Sequence, residues 1–88
     1  MTYLDDSKYQ EPVSEWLRFV AENHMLNINE SREICTKIYQ YANDNKKEEL
    51  LGFSLYYLGE ADYIENNVEG LFLNITNALH YLTKTKQW

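Results

Sequence analysis

The spacing of apolar residues constrains the fold most, because it repeats at three- and four-residue intervals along most of the chain. The last such segment is the most regular and contains Val68, Leu71, Phe72, Ile75, Ala78, Leu79 and Leu82. This spacing places side chains on one face of an α-helix. Three glycines and one proline leave few residues that form the turns of a β-fold. The sequence therefore predicts an all-α fold.

Four helices are predicted, over about residues 12–25, 30–43, 47–65 and 68–84. Pro12 is expected at the first helical position, where its missing N–H is not needed. Asn29 and Asn67 are expected to cap the second and fourth helices. Because the connections are short, we expect four antiparallel helices, arranged as two helical hairpins in a single domain over residues 1–88.

The third predicted helix is apolar on more than one face. Its wide apolar stripe contains Leu50, Leu51, Leu55, Leu58, Ala61 and Ile64, and four aromatic residues broaden it. Such a helix must pack on at least two neighbours. We therefore expect it at the centre of the fold.

The charge balance excludes some classes of partner. The chain carries 14 acidic and 8 basic residues, for a formal net charge of −6. Nucleic-acid binding depends on clustered Lys and Arg, so neither nucleic acid nor an anionic membrane is an expected partner. The first residues lack the apolar core of a secretion signal, and a single cysteine fits a reducing compartment. A cytoplasmic protein is expected.

No catalytic, cofactor-binding or metal-binding set is predicted. His24 and His80 lie without acidic or cysteine neighbours at ligand spacing, and a zinc site needs about four donors. Cys35 lies on the apolar stripe of the second helix, where a buried, unreactive thiol is expected. Neither a nucleophile elbow nor a phosphate loop occurs. We predict that the protein is not an enzyme and uses no cofactor.

Four acidic residues cluster around the end of the third helix: Glu60, Asp62, Glu65 and Glu69. A solvated helical face is the first interpretation. The second is an acidic rim that attracts a basic partner.

The segment from Leu58 through Leu79 resembles a tetratricopeptide repeat (TPR). In that family a small residue, here Gly59, lets two helices approach closely, while large residues, here Leu55 and Leu58, pack inward. The matching positions of the second helix are Leu71, Ile75 and Ala78. The resemblance covers about residues 50–85 and implies TPR-like right-handed stacking of the hairpins.

A shift of 37 residues aligns the second helix with the fourth, pairing Cys35 with Phe72 and Ile38 with Ile75. An internal repeat and a coincidence between two amphipathic helices both explain this pairing. If a further repeat follows, it opens near Lys86, and the bulky fourth position of the resembled family falls close to Trp88. The chain is therefore expected to be either a fragment of a longer repeat protein or a unit whose exposed face pairs with a second copy.

The stretch from Leu50 to Trp88 is also similar to repeats that precede the diguanylate cyclase (GGDEF) domain in some clostridial signalling proteins. This resemblance implies a sensory or regulatory module at the N-terminus of a bacterial signalling protein.

The expected function is non-catalytic contact with a protein or peptide segment. In repeats of the resembled family the first helices line a groove, which makes Tyr56, Tyr63 and Glu60 the candidate contact residues. The exposed face of the last helix is expected to bind another polypeptide, with a homodimer as one form of this contact. The alternative is a stand-alone four-helix bundle, similar to immunity or antitoxin proteins, that binds a basic partner.

Overall fold

The computed structural model describes residues 9–85, and Trp88 lies outside them. These residues form four α-helices and no strand, which confirms the all-α prediction for this part of the chain. The helices are α1 (Val13–Asn23), α2 (Ile28–Asn45), α3 (Glu48–Ile64) and α4 (Val68–Thr85). None of the four combines the length and the apolar character needed to cross a lipid bilayer.

Two predicted helix starts are wrong by one or two residues. Pro12 is the N-cap of α1 and not its first helical residue, because its carbonyl already accepts the N–H of Trp16 at 3.0 Å. The second helix begins at Ile28 and not near residue 30, since the carbonyl of Asn27 accepts the N–H of Ser31 at 2.8 Å. Asn29 therefore lies inside α2 and does not cap it.

The cap predicted for the last helix is confirmed. The Asn67 side-chain oxygen accepts the backbone N–H of Gly70 at 3.1 Å, which satisfies one of the free donors in the first turn of α4. Asn66, directly before it, has a φ of 60°. Asparagine tolerates this left-handed conformation better than most residues, and it turns the chain between α3 and α4.

The helices pack in chain order, with α1 on α2, α2 on α3 and α3 on α4. As its apolar circumference predicted, α3 contacts a helix on either side. The first three helices share one buried cluster, which contains Val13, Leu17, Val20, Cys35, Ile38, Ala42, Leu50, Leu51, Phe53 and Tyr57. A second, smaller cluster joins α3 to α4 through Leu55, Ala78 and Leu82.

Glycines allow α3 and α4 to approach closely. A Cβ atom added to Gly52 would lie 2.9 Å from Leu82 Cδ2, and one added to Gly59 would lie 2.6 Å from Ile75 Cδ1. Each distance is shorter than a normal carbon–carbon contact. The two glycines are seven residues apart, as are Ile75 and Leu82. The same side of α3 therefore faces α4 over two turns.

Candidate interaction surface

Helix α4 carries more apolar residues than α3 covers. Ala78 and Leu82 are buried against α3, whereas Val68 is 73% exposed and Phe72 is 74% exposed. Leu79 is also exposed, and Ile75 is half-buried between the two sets. We call Val68, Phe72, Ile75 and Leu79 the α4 stripe. They lie at positions i, i+4, i+7 and i+11, so they share one side of the helix.

A groove adjoins the α4 stripe. Its lining is mostly apolar and comprises Met25, Tyr56, Glu60, Tyr63, Ile64, Leu71 and Ile75. We call it the Tyr groove. Ile75 belongs to both features, so the groove and the stripe form one continuous surface. Tyrosine and methionine are typical of contact surfaces, because they combine large apolar areas with polar or flexible groups.

The structure brings the three candidate contact residues together. Tyr56, Tyr63 and Glu60 all line the Tyr groove from α3. Tyr63 is exposed, and Tyr56 is half-buried. The residues proposed for repeat packing lie near the groove, and their surroundings are of three kinds. Leu71 and Ile75 line the α4 side of the groove, Leu55 and Ala78 are buried between α3 and α4, and Leu58 packs against the larger cluster.

Glu60 has partners that the sequence did not indicate. Its Oε1 lies 2.8 Å from Nδ1 of His24, at the end of α1. Burial, together with the charge and the hydrogen bond of Glu60, raises the pKa of Tyr56. His24 also packs edge-on against Tyr57, with ring centroids 4.8 Å apart. His24 therefore does have an acidic neighbour in space, although the sequence places none at ligand spacing from it.

Asp62 corrects the expectation of a solvated acidic face. The residue is only 2% exposed, and its carboxylate accepts hydrogen bonds from Arg32 Nη2 at 3.0 Å and from Asn74 Nδ2 at 2.7 Å. Arg32 also pairs with Glu65. A buried carboxylate is strongly unfavourable without such partners. This network joins α2, α3 and α4 beside the Tyr groove.

Cys35 is buried in the larger core cluster. Burial raises the pKa of its thiol to about 12, so the thiol is protonated near neutral pH and is a poor nucleophile. His80 lies on the surface beside Tyr81. Within residues 9–85, no three His, Cys, Asp or Glu side chains are grouped in a way that could hold a metal ion.

No family model, curated protein or solved structure matches the chain. The geometry of the surface is therefore the basis for the functional interpretation.

Proposed function

We propose that this chain is a non-catalytic protein-interaction module that contacts another polypeptide through the α4 stripe and the Tyr groove. The observation that carries the proposal is the exposure of Phe72, at 74%, in an apolar stripe that continues into a groove lined by tyrosines. Continuous apolar surfaces of this kind mark interaction sites on folded proteins. Aromatic residues also supply much of the binding energy at such sites.

The proposal includes TPR-like, right-handed stacking of two antiparallel helical hairpins. Three observations support it. The helices pack in chain order, Gly59 lies where α4 approaches α3, and the first turn of α3 meets the last turn of α4 through Glu48 and Lys84, 2.7 Å apart. A stack of this kind leaves one face of its last helix free for a neighbour.

The biological setting that we propose is regulatory. The module would form the N-terminal sensory part of a cytoplasmic bacterial signalling protein and would hold a protein segment on its surface. The resemblance to the repeats of diguanylate cyclase proteins supports this setting.

The second candidate function is that of a stand-alone protein, similar to immunity or antitoxin proteins, that blocks a basic partner. The net charge of −6 and the carboxylate of Glu60 in the Tyr groove favour this candidate. Gene context separates the two. A reading frame that continues into a cyclase domain supports the first, and a neighbouring toxin gene supports the second.

Photo-crosslinking in the native cells tests the interaction itself. A photoreactive phenylalanine analogue replaces Phe72 in one variant and Leu73 in a control. Leu73 is also exposed but lies roughly 100° around the helix from Phe72. We expect a polypeptide adduct at position 72 and little at position 73, with the adduct mass showing whether the partner is a second copy. No adduct at 72, or equal adducts at both positions, would contradict the proposal.

A further inference from the structure

Two observations indicate what kind of partner the α4 stripe binds. One is that α2 carries a stripe at matching positions, and the other is the charge beside the α4 stripe. We infer that the stripe binds an amphipathic helix of about three turns whose apolar face is flanked by Lys or Arg. This inference rests on the proposed function and specifies the chemistry of the partner.

The first observation concerns helix α2, which carries a stripe at the same register. Its buried residues are Ser31, Cys35, Ile38 and Ala42. A shift of 37 residues places them on Val68, Phe72, Ile75 and Leu79, the members of the α4 stripe. In α2 three of these positions belong to the core cluster shared with α1 and α3. In α2, a stripe of this geometry is therefore covered by α1 and α3.

The dimensions of the stripe also suit a helix. From Val68 to Leu79 it extends over about 16 Å, at roughly 1.5 Å per residue. A partner helix of three turns covers this length. Its own apolar residues at three- and four-residue spacing then pack between Phe72 and Leu79, as side chains do between adjacent helices.

The second observation concerns charge. Among the residues that line the Tyr groove, Glu60 is the only charged one, and Glu69 is exposed next to Val68 at the start of the stripe. Lys84 is the only Lys or Arg in the described part of α4, and it pairs with Glu48. It also lies more than about 100° around the helix from the stripe. Lys and Arg on a partner therefore meet carboxylates here, and acidic side chains are repelled.

This charge pattern favours a basic helix over a second copy of the chain. A second copy that used the same surface would bring its own Glu60 and Glu69 to the contact. The described part of its α4 would supply no Lys or Arg other than Lys84, which already pairs with Glu48. The exposed ring of Tyr63 adds a surface on which a Lys or Arg of the partner can stack.

Calorimetric titration of the chain with three synthetic peptides tests the inference. Each peptide has about 18 residues, long enough to form a helix on binding. The basic peptide carries leucines at i, i+4, i+7 and i+11 with flanking lysines. The acidic peptide has glutamate in place of lysine, and the scrambled peptide has the basic composition without the leucine stripe. We expect the basic peptide to bind at least roughly tenfold more tightly than either of the others.

Matched variants then locate the contact, with circular dichroism confirming that each one is folded. Phe72→Ala should weaken binding of the basic peptide by roughly tenfold, whereas Leu73→Ala should leave it unchanged. Glu69→Gln should reduce the dependence of binding on salt, which screens exposed charges. Glu33 is an exposed residue of α2, so Glu33→Gln is the control and should leave the salt dependence of binding unchanged.

The outcomes separate this inference from the proposed function. Equal binding of the basic and acidic peptides, both weakened by Phe72→Ala, would overturn the basic partner and leave the interaction surface in place. Equal binding of the basic and scrambled peptides would overturn the helix, because charge alone would explain it. If no peptide binds while residue 72 crosslinks to a second copy, the occupant is that copy and the inference is wrong. If no peptide binds and residue 72 forms no adduct, the proposed function fails as well.

Discussion

At the residue scale, the neighbours of a buried polar side chain determine what it contributes to the fold. Asp62 is buried among hydrogen-bond donors from Arg32 and Asn74, which compensate for the loss of water around a carboxylate. Cys35 is buried among apolar side chains, and burial raises the pKa of its thiol to about 12. The Asp62 carboxylate therefore links helices, and the Cys35 thiol is a neutral part of the core.

The raised pKa of Cys35 predicts a loss of stability at alkaline pH. In the unfolded chain the thiol ionises near its ordinary pKa of 9.0, whereas in the folded chain it stays protonated up to about pH 12. Unfolding then releases a proton, so the contribution of Cys35 is complete below pH 9 and falls as the pH rises toward 12. Each pH unit in this window corresponds to about 1.4 kcal/mol.

Urea unfolding at several pH values between 7 and about 10.5, with Cys35→Ala as the reference, measures this effect. The difference in the free energy of unfolding between the two proteins should be constant below pH 8 and should shrink above pH 9. Ionising groups that do not interact with Cys35 are common to both proteins and cancel. An identical pH dependence of the two proteins would contradict the buried, protonated thiol.

The two residues also differ in how far the sequence predicts them. Burial of Cys35 follows from its position on a local apolar stripe. Burial of Asp62 does not, because its partner Arg32 lies 30 residues earlier in the chain, on another helix. In the sequence, Asp62 stands among other acidic residues and is therefore interpreted as part of a solvated face. Only the packing of α2 against α3 brings the Arg32 guanidinium to its carboxylate.

At the element scale, the fit of α4 against α3 depends on positions that lack a side chain. Gly70 is the most restrictive of them. A Cβ atom there would lie 2.7 Å from Asp62 Oδ2 and 2.6 Å from Asn67 Nδ2. Asp62 is buried and accepts hydrogen bonds from Arg32, Asn67 and Asn74, and Asn67 caps α4, so neither can move without losing a hydrogen bond.

We expect Gly70→Ala to lower the free energy of unfolding by about 1–3 kcal/mol, the usual effect of overpacking a tight site. Helix propensity alone predicts the opposite sign, since alanine stabilises a helix by roughly 1 kcal/mol relative to glycine. Asn77→Ala, at an exposed position of the same helix, is the control and should leave stability unchanged or slightly increased. Thermal unfolding measures both. A Gly70→Ala variant as stable as the parent would show that the network beside α4 can rearrange.

Local spacing predicts the helices well and their first residues less well. The apolar pattern places all four helices within about two residues of their observed bounds, and Asn67 caps α4 as expected. The start of α2 was missed because Asn27 and Asn29 are equally suitable cap residues in the sequence. The choice between them depends on the backbone hydrogen bond from Ser31 to Asn27, which side-chain type does not reveal.

At the scale of the whole molecule, the apolar residues exceed what one small core can enclose. The sequence indicates the excess, because α3 and α4 are both apolar over wide arcs. The sequence does not indicate which apolar residues stay exposed, because their exposure depends on how α4 is rotated about its axis against α3. The glycines of α3 set this rotation by directing Ile75 and Leu82 toward it, and Phe72 and Val68 remain exposed.

In the function proposed above, another polypeptide covers the α4 stripe. Hydroxyl-radical footprinting, read by tandem mass spectrometry at single residues, measures this coverage directly in cells and in dilute purified protein. We predict that Phe72 and Leu79 are labelled less in cells than in the purified chain, whereas Leu73 is labelled equally in both. Equal labelling of Phe72 and Leu79 under the two conditions would show that the stripe stays open to solvent, and it would contradict the account.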